Sequence, residues 1–255
     1  MKTRKATTLF FLATLGILMT GHVKGQERTY FKRSSYKAYL TNSVGVWKAV
    51  EKKAENRYEE HPHDMQKLYD WTEIQYGLLN ACVANKNKKV FDRYIEAAKK
   101  NIDTLLRYNS RWAAAHALKA GILSTEMAFS PSKGMFLGPK SNAHIEKALK
   151  FDKTEPTGWV QQAGSKLHTP KMFGGSLDKA VESYEKAIKL YEQDSSQCQN
   201  NWQYINAKAW LGIAYVKDEQ YSKAHQTFKS VLAFEPAFEW VKHSLLPKLE
   251  KKMNP

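Results

Sequence analysis

Histidines and acids are concentrated in one short stretch of the chain, EEHPHD at residues 59–64. Imidazole and carboxylate groups at this density could bind a metal ion weakly. No third ligand stands at a fixed spacing, and the central proline disfavours helix in the residue before it. A solvated linker is therefore the favoured interpretation, and we predict no metal site.

Motifs that organise catalysis are absent from the sequence. The chain has no HExxH, CxxC or GxSxG motif and no glycine-rich phosphate loop. We therefore expect no enzyme activity, no catalytic residues and no cofactor. The remaining histidines fall on different expected helices or turns, where we expect surface or seam positions: His116, His144, His168, His225 and His243.

Two segments of related composition could bind a partner through apolar side chains. They are FSPSKGMFLGPKS at 129–141 and HTPKMFGGS at 168–176, and each has a proline, a Met-Phe pair and then glycine. Both are expected as loops at equivalent turns, with Ser176 as the N-cap of the following helix. The apolar candidates are Met135, Phe136, Met172 and Phe173.

These side chains allow two interpretations. Methionine and phenylalanine on a glycine-flexed loop suit an adaptable contact with a partner at one edge of the molecule. Alternatively, Phe136 and Phe173 fold back and plug the ends of their own hairpins. The second interpretation is favoured, because an exposed phenylalanine is costly for a monomer.

The helices that must carry these loops are clearest at 205–238. Leu211, Gly212 and Tyr215 share one face of a helix there. After the turn VKDEQ, a second face is formed by Tyr221, Ala224, Phe228 and Val231. Small residues are needed where two short helices cross, so Gly212 and Ala224 are expected to meet. Pro236 is expected to open the next helix, where its missing N–H costs nothing.

This pattern resembles the tetratricopeptide (TPR) repeat, whose period is about 34 residues. Three weaker copies of the Ala224/Phe228/Val231 triplet precede it: Ala98/Ile102/Leu105, Ser141/Ile145/Ala148 and Ala180/Tyr184/Ala187. The resemblance implies an all-α, right-handed superhelix of about four helical hairpins. These hairpins are expected at about 65–109, 111–153, 156–194 and 199–238, with a cap at 238–251. Residues 26–35 are expected as a flexible leader and 36–64 as an N-terminal capping helix region.

A second resemblance covers residues 168–180. Pro170, Gly174, Gly175 and Ala180 form a pattern similar to secreted bacterial TPR proteins, among them the T component that accompanies TRAP-type solute transporters. This likeness implies a periplasmic protein that helps to hand hydrophobic or anionic solutes to a transporter.

A tryptophan stands near the start of each expected first helix, and one more lies in the closing helix: Trp71, Trp112, Trp159, Trp202 and Trp240. Such residues are expected to fill the seams between neighbouring hairpins. Trp159 and Trp202 are additional candidates for partner binding.

The N-terminus has the features of a secretory signal peptide. Lys2, Arg4 and Lys5 precede an apolar run at 9–19, and a small residue follows before Gln26. The whole chain carries a net charge of +15, and removal of residues 1–25 with their four basic residues leaves +11. A basic, exported chain is expected to meet acidic proteins, anionic polysaccharide or lipid rather than nucleic acid. No later run is long enough to span a membrane.

The two cysteines are expected to stay apart. Cys82 falls late in the first helix of the first repeat, and Cys198 lies just before that of the fourth. Three stacked hairpins separate them by far more than the roughly 7 Å that a disulfide tolerates. Cys82 is expected to be buried, and Cys198, in the polar stretch QDSSQCQNN, to be more exposed and reactive.

Two functions of different classes follow. The first is a non-enzymatic scaffold in the cell envelope, whose concave face grips a protein or peptide. The second is a periplasmic solute-binding accessory of a transporter, with its ligand inside the superhelix. An open, polar concave groove would favour the first function, and a closed apolar pocket lined by Trp and Tyr would favour the second.

Export predicts cleavage close to the Gly25–Gln26 bond. Mass spectrometry of the mature protein should find a chain that begins near Gln26, because the charged, apolar and small-residue regions occur in the order that signal peptidase reads. A mature chain that retains Met1, or that carries a lipid, would contradict the prediction.

Overall fold

A computed structural model describes residues 29–254, and all regular structure in that range is helical. The predicted all-α fold class is confirmed. The first helix, α1, spans 29–40. The next helices are α2 (Val44–Glu59), α3 (Met65–Ala84), α4 (Lys88–Tyr108), α5 (Ala113–Phe129) and α6 (Gly134–Phe151). The remaining ones are α7 (Pro156–His168), α8 (Leu177–Glu192), α9 (Trp202–Lys217), α10 (Tyr221–Phe234) and α11 (Leu246–Met253).

Consecutive helices pack as antiparallel pairs. The hairpins are α3–α4, α5–α6, α7–α8 and α9–α10, and the first helices contact one another in succession, α3 with α5, α5 with α7 and α7 with α9. A π-helical segment, Val241–Leu245, leads into α11 and packs with it against α10. In the described part of the chain no helix is long and apolar enough to cross a membrane.

Side-chain caps explain where most of these helices begin. The side chains of Ser43, Asp64, Asn87, Ser176 and Asn201 each accept a backbone N–H from the first turn of the following helix. Such caps satisfy donors that have no partner inside the helix, and each is worth about 1 kcal/mol. The expected cap at Ser176 is therefore present, and it accepts from the Lys179 N–H at 3.3 Å.

The repeat triplets form the buried stripes of the second helices. Each triplet lies on one face at the spacing of a helix with a single apolar stripe. All twelve residues are buried: Ala98, Ile102, Leu105, Ser141, Ile145, Ala148, Ala180, Tyr184, Ala187, Ala224, Phe228 and Val231. Leu211 and Tyr215 of α9 are buried as well, and Tyr221 is half-buried.

Gly212 lies against the ring of Phe228. A Cβ added at Gly212 would overlap that ring, so the aromatic side chain of α10 occupies the space that the glycine leaves. Phe228 lies one turn beyond Ala224 on the same face of α10, and the expected contact of Gly212 with Ala224 stays a prediction. Pro236 lies in a turn, and the closing helix begins three residues later, at residue 239.

The expected flexible leader is wrong for residues 29–35. These residues belong to α1, in which Phe31 and Ser35 are buried. The sequence looked polar and without period, but Phe31 packs under the Arg57 guanidinium of α2 at 5.2 Å from the ring centroid. The remainder of the expected leader and the expected signal peptide lie outside the described residues.

The segment 129–141 is largely helical and not a loop. A short 3₁₀ turn, Pro131–Lys133, runs directly into α6 at Gly134. Gly134, Gly138 and Pro139, which gave the segment its loop-like composition, are residues of α6. Pro139 lies inside α6, where it removes one backbone hydrogen bond of the helix.

Two aromatic residues of the first helices, Tyr76 of α3 and Trp202 of α9, have ring centroids 5.8 Å apart and are called the axial pair below. Tyr76 also contacts α5, where a Cβ at Gly121 would lie 2.7 Å from its ring. Gln161 of α7 donates to the Tyr76 hydroxyl at 3.2 Å. The first helices of all four hairpins therefore converge on this axial pair.

The N-terminal helices close the superhelix from the other side of Trp202. The Trp202 ring contacts Tyr39 of α1 at 5.6 Å and Trp47 of α2 at 5.7 Å. Tyr39 also donates to Asn206 of α9 at 2.8 Å and packs against Phe238 at 5.4 Å. Consequently α1 contacts both ends of the chain of hairpins.

Two helical glycines provide a matched test of this packing. Gly212→Ala should lower the free energy of unfolding by about 1–3 kcal/mol, because the added methyl overlaps the ring of Phe228, which is buried and has no room to move. Gly134→Ala, in open space at the first residue of α6, should not lower it. Urea unfolding of both variants measures the difference. Equal effects of the two substitutions would contradict the packing described for Gly212.

Candidate functional site

Four large apolar side chains are exposed on two neighbouring turns. They are Met135 and Phe136 in the first turn of α6, and Met172 and Phe173 in the 3₁₀ turn Lys171–Phe173. Between 70% and 83% of the surface of each residue is open to solvent. These four residues are called the apolar edge below.

The interpretation that Phe136 and Phe173 plug their own hairpins is wrong. Phe136 is 70% exposed and Phe173 is 71% exposed, so neither ring is inserted between the helices of its own hairpin. Exposure of phenylalanine is costly in water, and a monomeric protein that retains two such residues at one place has a surface suited to a partner.

Backbone hydrogen bonds hold the second turn in one conformation. The N–H groups of Gly175 and Ser176 donate to the carbonyls of Pro170 and Lys166, at 3.2 and 3.0 Å. Lys166 Nζ donates to the Gly174 carbonyl at 2.9 Å. Gly174 has a left-handed φ of 93°, and a Cβ at Gly175 would overlap the Thr169 carbonyl. Only glycine fits these two positions, and the hydrogen bonds hold the backbone of the turn in a single conformation.

Both turns lie at the same end of α6 and α7. The two helices run antiparallel, and Ser165 of α7 donates to Asn142 of α6 at 2.8 Å. Phe136 lies six residues before Asn142, and Lys171 lies six residues after Ser165. Moving back along α6 and forward along α7 leads in the same direction, so both turns lie at the same edge of the molecule.

The interior of the superhelix offers no comparable site in the described residues. Trp202, a predicted partner-binding residue, is only 5% exposed and belongs to the axial pair, which removes it from contact with a partner. Trp159 is half-buried, and its indole Nε1 donates to the Lys153 carbonyl at 2.9 Å. A cavity of about 90 Å³ lies between α1, α3 and the start of α9, and one of about 190 Å³ lies between α4, α5 and the 3₁₀ turn before α6. Sites for small molecules are generally larger, about 300 Å³ or more.

One pair of histidines meets between α5 and α6, where His116 is buried and His144 is half-buried. His116 Nδ1 lies 2.8 Å from His144 Nδ1, and His116 Nε2 lies 2.9 Å from the Ser110 carbonyl. Because a carbonyl only accepts, His116 carries its proton on Nε2 and accepts from His144 through Nδ1. Burial lowers the pKa of His116, and burial together with the Lys119 ammonium lowers the pKa of His144 to about 4. The pair is neutral and structural at pH 7.

Sequence reasoning missed this pair by treating the histidines as scattered. The signal was His116 within the apolar run AAAHALKAGIL, and His144 beside the buried stripe of Ser141 and Ile145.

In the EEHPHD stretch, His61 and His63 are exposed, and the Asp64 carboxylate accepts from the backbone N–H groups of Gln66 and Lys67. Among the described residues, no group of three or more side chains is arranged to hold a metal ion.

The expected exposure of Cys198 is also wrong. Cys82 and Cys198 are both free and buried, and the Cys198 thiol donates to the Tyr191 carbonyl at 3.4 Å. Burial raises the pKa of both thiols, that of Cys82 to about 11. The polar neighbours of Cys198 in sequence gave no sign that a short 3₁₀ turn, Ser195–Gln197, directs it inward.

Comparison with known proteins shows the class of the fold. No protein-family model and no curated protein matches this chain. Among the solved structures that match, the HusA haemophore from Porphyromonas gingivalis has a TM-score of 0.61 and 19% identity, covering 74% of this chain and 93% of that one. A thermophilic TPR protein of Thermus thermophilus has a TM-score of 0.53 and 15% identity, covering 87% and 96%. The chain is therefore a TPR-like helical repeat protein, as predicted.

The histidine pair predicts a loss of stability in acid. The unfolded chain binds protons on His116 and His144 near their ordinary pKa of about 6.5, whereas the folded chain binds them only at lower pH, near 4 for His144. The contribution of the pair is therefore complete at pH 7 and falls as the pH drops from about 6.5 to about 4.

Thermal melting at pH 7 and pH 5 should show a smaller fall in Tm for His144→Asn than for the parent protein, by about 2–4 °C for each kcal/mol. His243→Asn, at an exposed position of the closing helix, is the matched control. If His144→Asn and the parent respond equally to pH, the neutral pair is not a source of the acid sensitivity.

Proposed function

We propose that this chain is an exported, non-enzymatic TPR-like scaffold that binds a protein partner in the cell envelope through the apolar edge. The observation that carries the proposal is the exposure of four Met and Phe side chains on two neighbouring, fixed turns. The tripartite pattern of residues 1–25 supports export. The likeness to a TPR protein supports a binding role.

The energy available at the apolar edge is large enough for a specific contact. Full burial of a Met or Phe side chain contributes about 1.5–3 kcal/mol, so four of them provide roughly 6–12 kcal/mol before the cost of association. The fixed backbone of the second turn keeps that cost low, because little conformational freedom is lost on binding. A partner that covers both turns would therefore bind well, whereas one that covers a single turn would bind weakly.

A second candidate function is the carriage of an apolar, anionic solute. The structural similarity to a protein described as a haemophore favours it, since the match covers 93% of that chain. The cavity beside Trp202 is too small for such a ligand, which would therefore bind at the apolar edge and not inside the superhelix. Phe136 and Phe173 would stack on a planar apolar ring, and nearby lysines would pair with its carboxylates.

The double variant Phe136→Ser/Phe173→Ser tests the scaffold function. Pull-down from an envelope extract of the source organism should retain a protein partner with the parent chain and lose about tenfold or more of it with the variant, because most of the buried apolar area is removed. Circular dichroism and the melting curve should be unchanged. Tyr108→Ser, at an exposed tyrosine at the opposite end of the hairpins, is the matched control.

Three outcomes separate the alternatives. Equal recovery of the partner with parent and double variant would contradict the role of the apolar edge. Saturable binding of haemin by the parent chain, seen in the Soret absorbance and lost in the double variant, would support the carrier function instead. A collapse of helicity in the double variant would show that the two rings stabilise the fold.

A further inference from the structure

Lysines predominate in the two turns of the apolar edge, and the acids Glu126 and Asp178 lie at their borders. Residues 130–145 and 156–177, which include both turns and the adjoining parts of α6 and α7, contain four lysines and no acid. Two of the lysines are engaged: Lys133 pairs with Glu126 at 2.6 Å, and Lys166 bonds to the Gly174 carbonyl. Lys140 and Lys171 are exposed and form no ion pair in the described part of the chain.

Lys140 and Lys171 are placed to act together with the apolar residues. Lys140 follows Phe136 by four residues on α6, and therefore lies on the same helical face. Lys171 directly precedes Met172 in the second turn. One exposed ammonium thus accompanies each Met-Phe pair, in a protein whose net charge is already positive.

From this arrangement we infer that the partner surface is an acidic protein surface, apolar at its centre and rimmed by carboxylates that pair with Lys140 and Lys171. The inference rests on the proposed function, since it specifies the partner of the same site. Charge complementarity at a rim steers association and excludes wrong partners, while the apolar centre supplies most of the affinity.

Other occupants fit the edge less well. A second copy docked edge to edge would bring Lys140 and Lys171 of both copies together. An anionic membrane would attract the lysines and accept the apolar side chains, but a fluid surface needs no fixed spacing between them. The spacing here is fixed by the backbone bonds of the second turn and by the Ser165–Asn142 bond. Such pre-organisation favours a partner with a shape of its own.

The experiment uses the protein retained in the pull-down described above, purified, as the probe. Lys140→Glu/Lys171→Glu should weaken its Kd about tenfold or more, because like charges then face each other at the rim. Lys186→Glu/Lys229→Glu changes the net charge equally at exposed positions of α8 and α10, and should leave the Kd unchanged. Parent binding should weaken as sodium chloride rises from about 0.1 M to about 1 M, over which the Debye length falls from about 10 Å to about 3 Å.

Each alternative has a distinct result. If Phe136→Ser/Phe173→Ser abolishes binding while the lysine reversals and salt have no effect, the proposed scaffold function stands and the acidic partner is wrong. If both pairs of lysine reversals weaken binding equally, the attraction is general charge and the inference fails. Sedimentation of the parent chain with vesicles of phosphatidylglycerol and phosphatidylcholine, lost in Lys140→Glu/Lys171→Glu, would assign the edge to a membrane and overturn the inference.

Discussion

The convergence of four helices on Tyr76 is the constraint on which the rest of the structure depends. Its ring and hydroxyl contact α5 at Gly121, α7 at Gln161 and α9 at Trp202, so one side chain sets the distance between the first helices of all the hairpins. The approach of α5 is possible because its buried face is built largely of alanine and glycine. Burial raises the pKa of Tyr76, and the hydrogen bond from the Gln161 amide opposes that rise.

The axial pair bears on where such a molecule can bind. In an open superhelix the concave side of the first helices is a groove, whereas here Tyr76, Trp202 and α1 occupy part of that side. Two functional predictions depended on the concave side, one on an open polar groove and the other on a closed apolar pocket, and the cavity beside Trp202 measures only about 90 Å³. The turns between helices offer another surface. Of these, the turns before α6 and α8 present large apolar side chains on a fixed backbone.

The fold was largely readable from the sequence because a helix with one buried face has a period that local sequence must obey. The four triplets, the cap at Ser176 and the small residue at position 212 all follow from such local rules. Properties that depend on distant residues were not readable. Whether Phe136 inserts between two helices depends on the side chains already packed there. The burial of Cys198 depends on the direction in which the short 3₁₀ turn before it leads the chain.

The candidate site shows the same division. Composition identified the residues of interest: Met135, Phe136, Met172 and Phe173. Their exposure could not be deduced, because the same sequence is compatible with side chains that fill their own hairpin and with side chains that face solvent. The segment 129–141 looked like a loop because glycine and proline usually end helices, yet a 3₁₀ turn starts α6 early. His116 and His144 meet across two helices, a pairing that no local period encodes.

The contacts that α1 makes at both ends of the chain alter the mechanics of the molecule. In an ordinary solenoid each repeat contacts only its neighbouring repeats. The terminal repeats fray, and repeats can be lost or gained without unfolding the central ones. Here Tyr39 of α1 contacts Trp202, Asn206 and Phe238. The N-terminal helices and the last hairpin are therefore in direct contact, and the series of hairpins forms a closed ring. A ring has no free end from which to unravel, and it forms only once residues more than 160 positions apart have met. The contacts of Tyr39 therefore have two consequences: the molecule resists stretching, and folding is slower because residues distant in sequence must first meet.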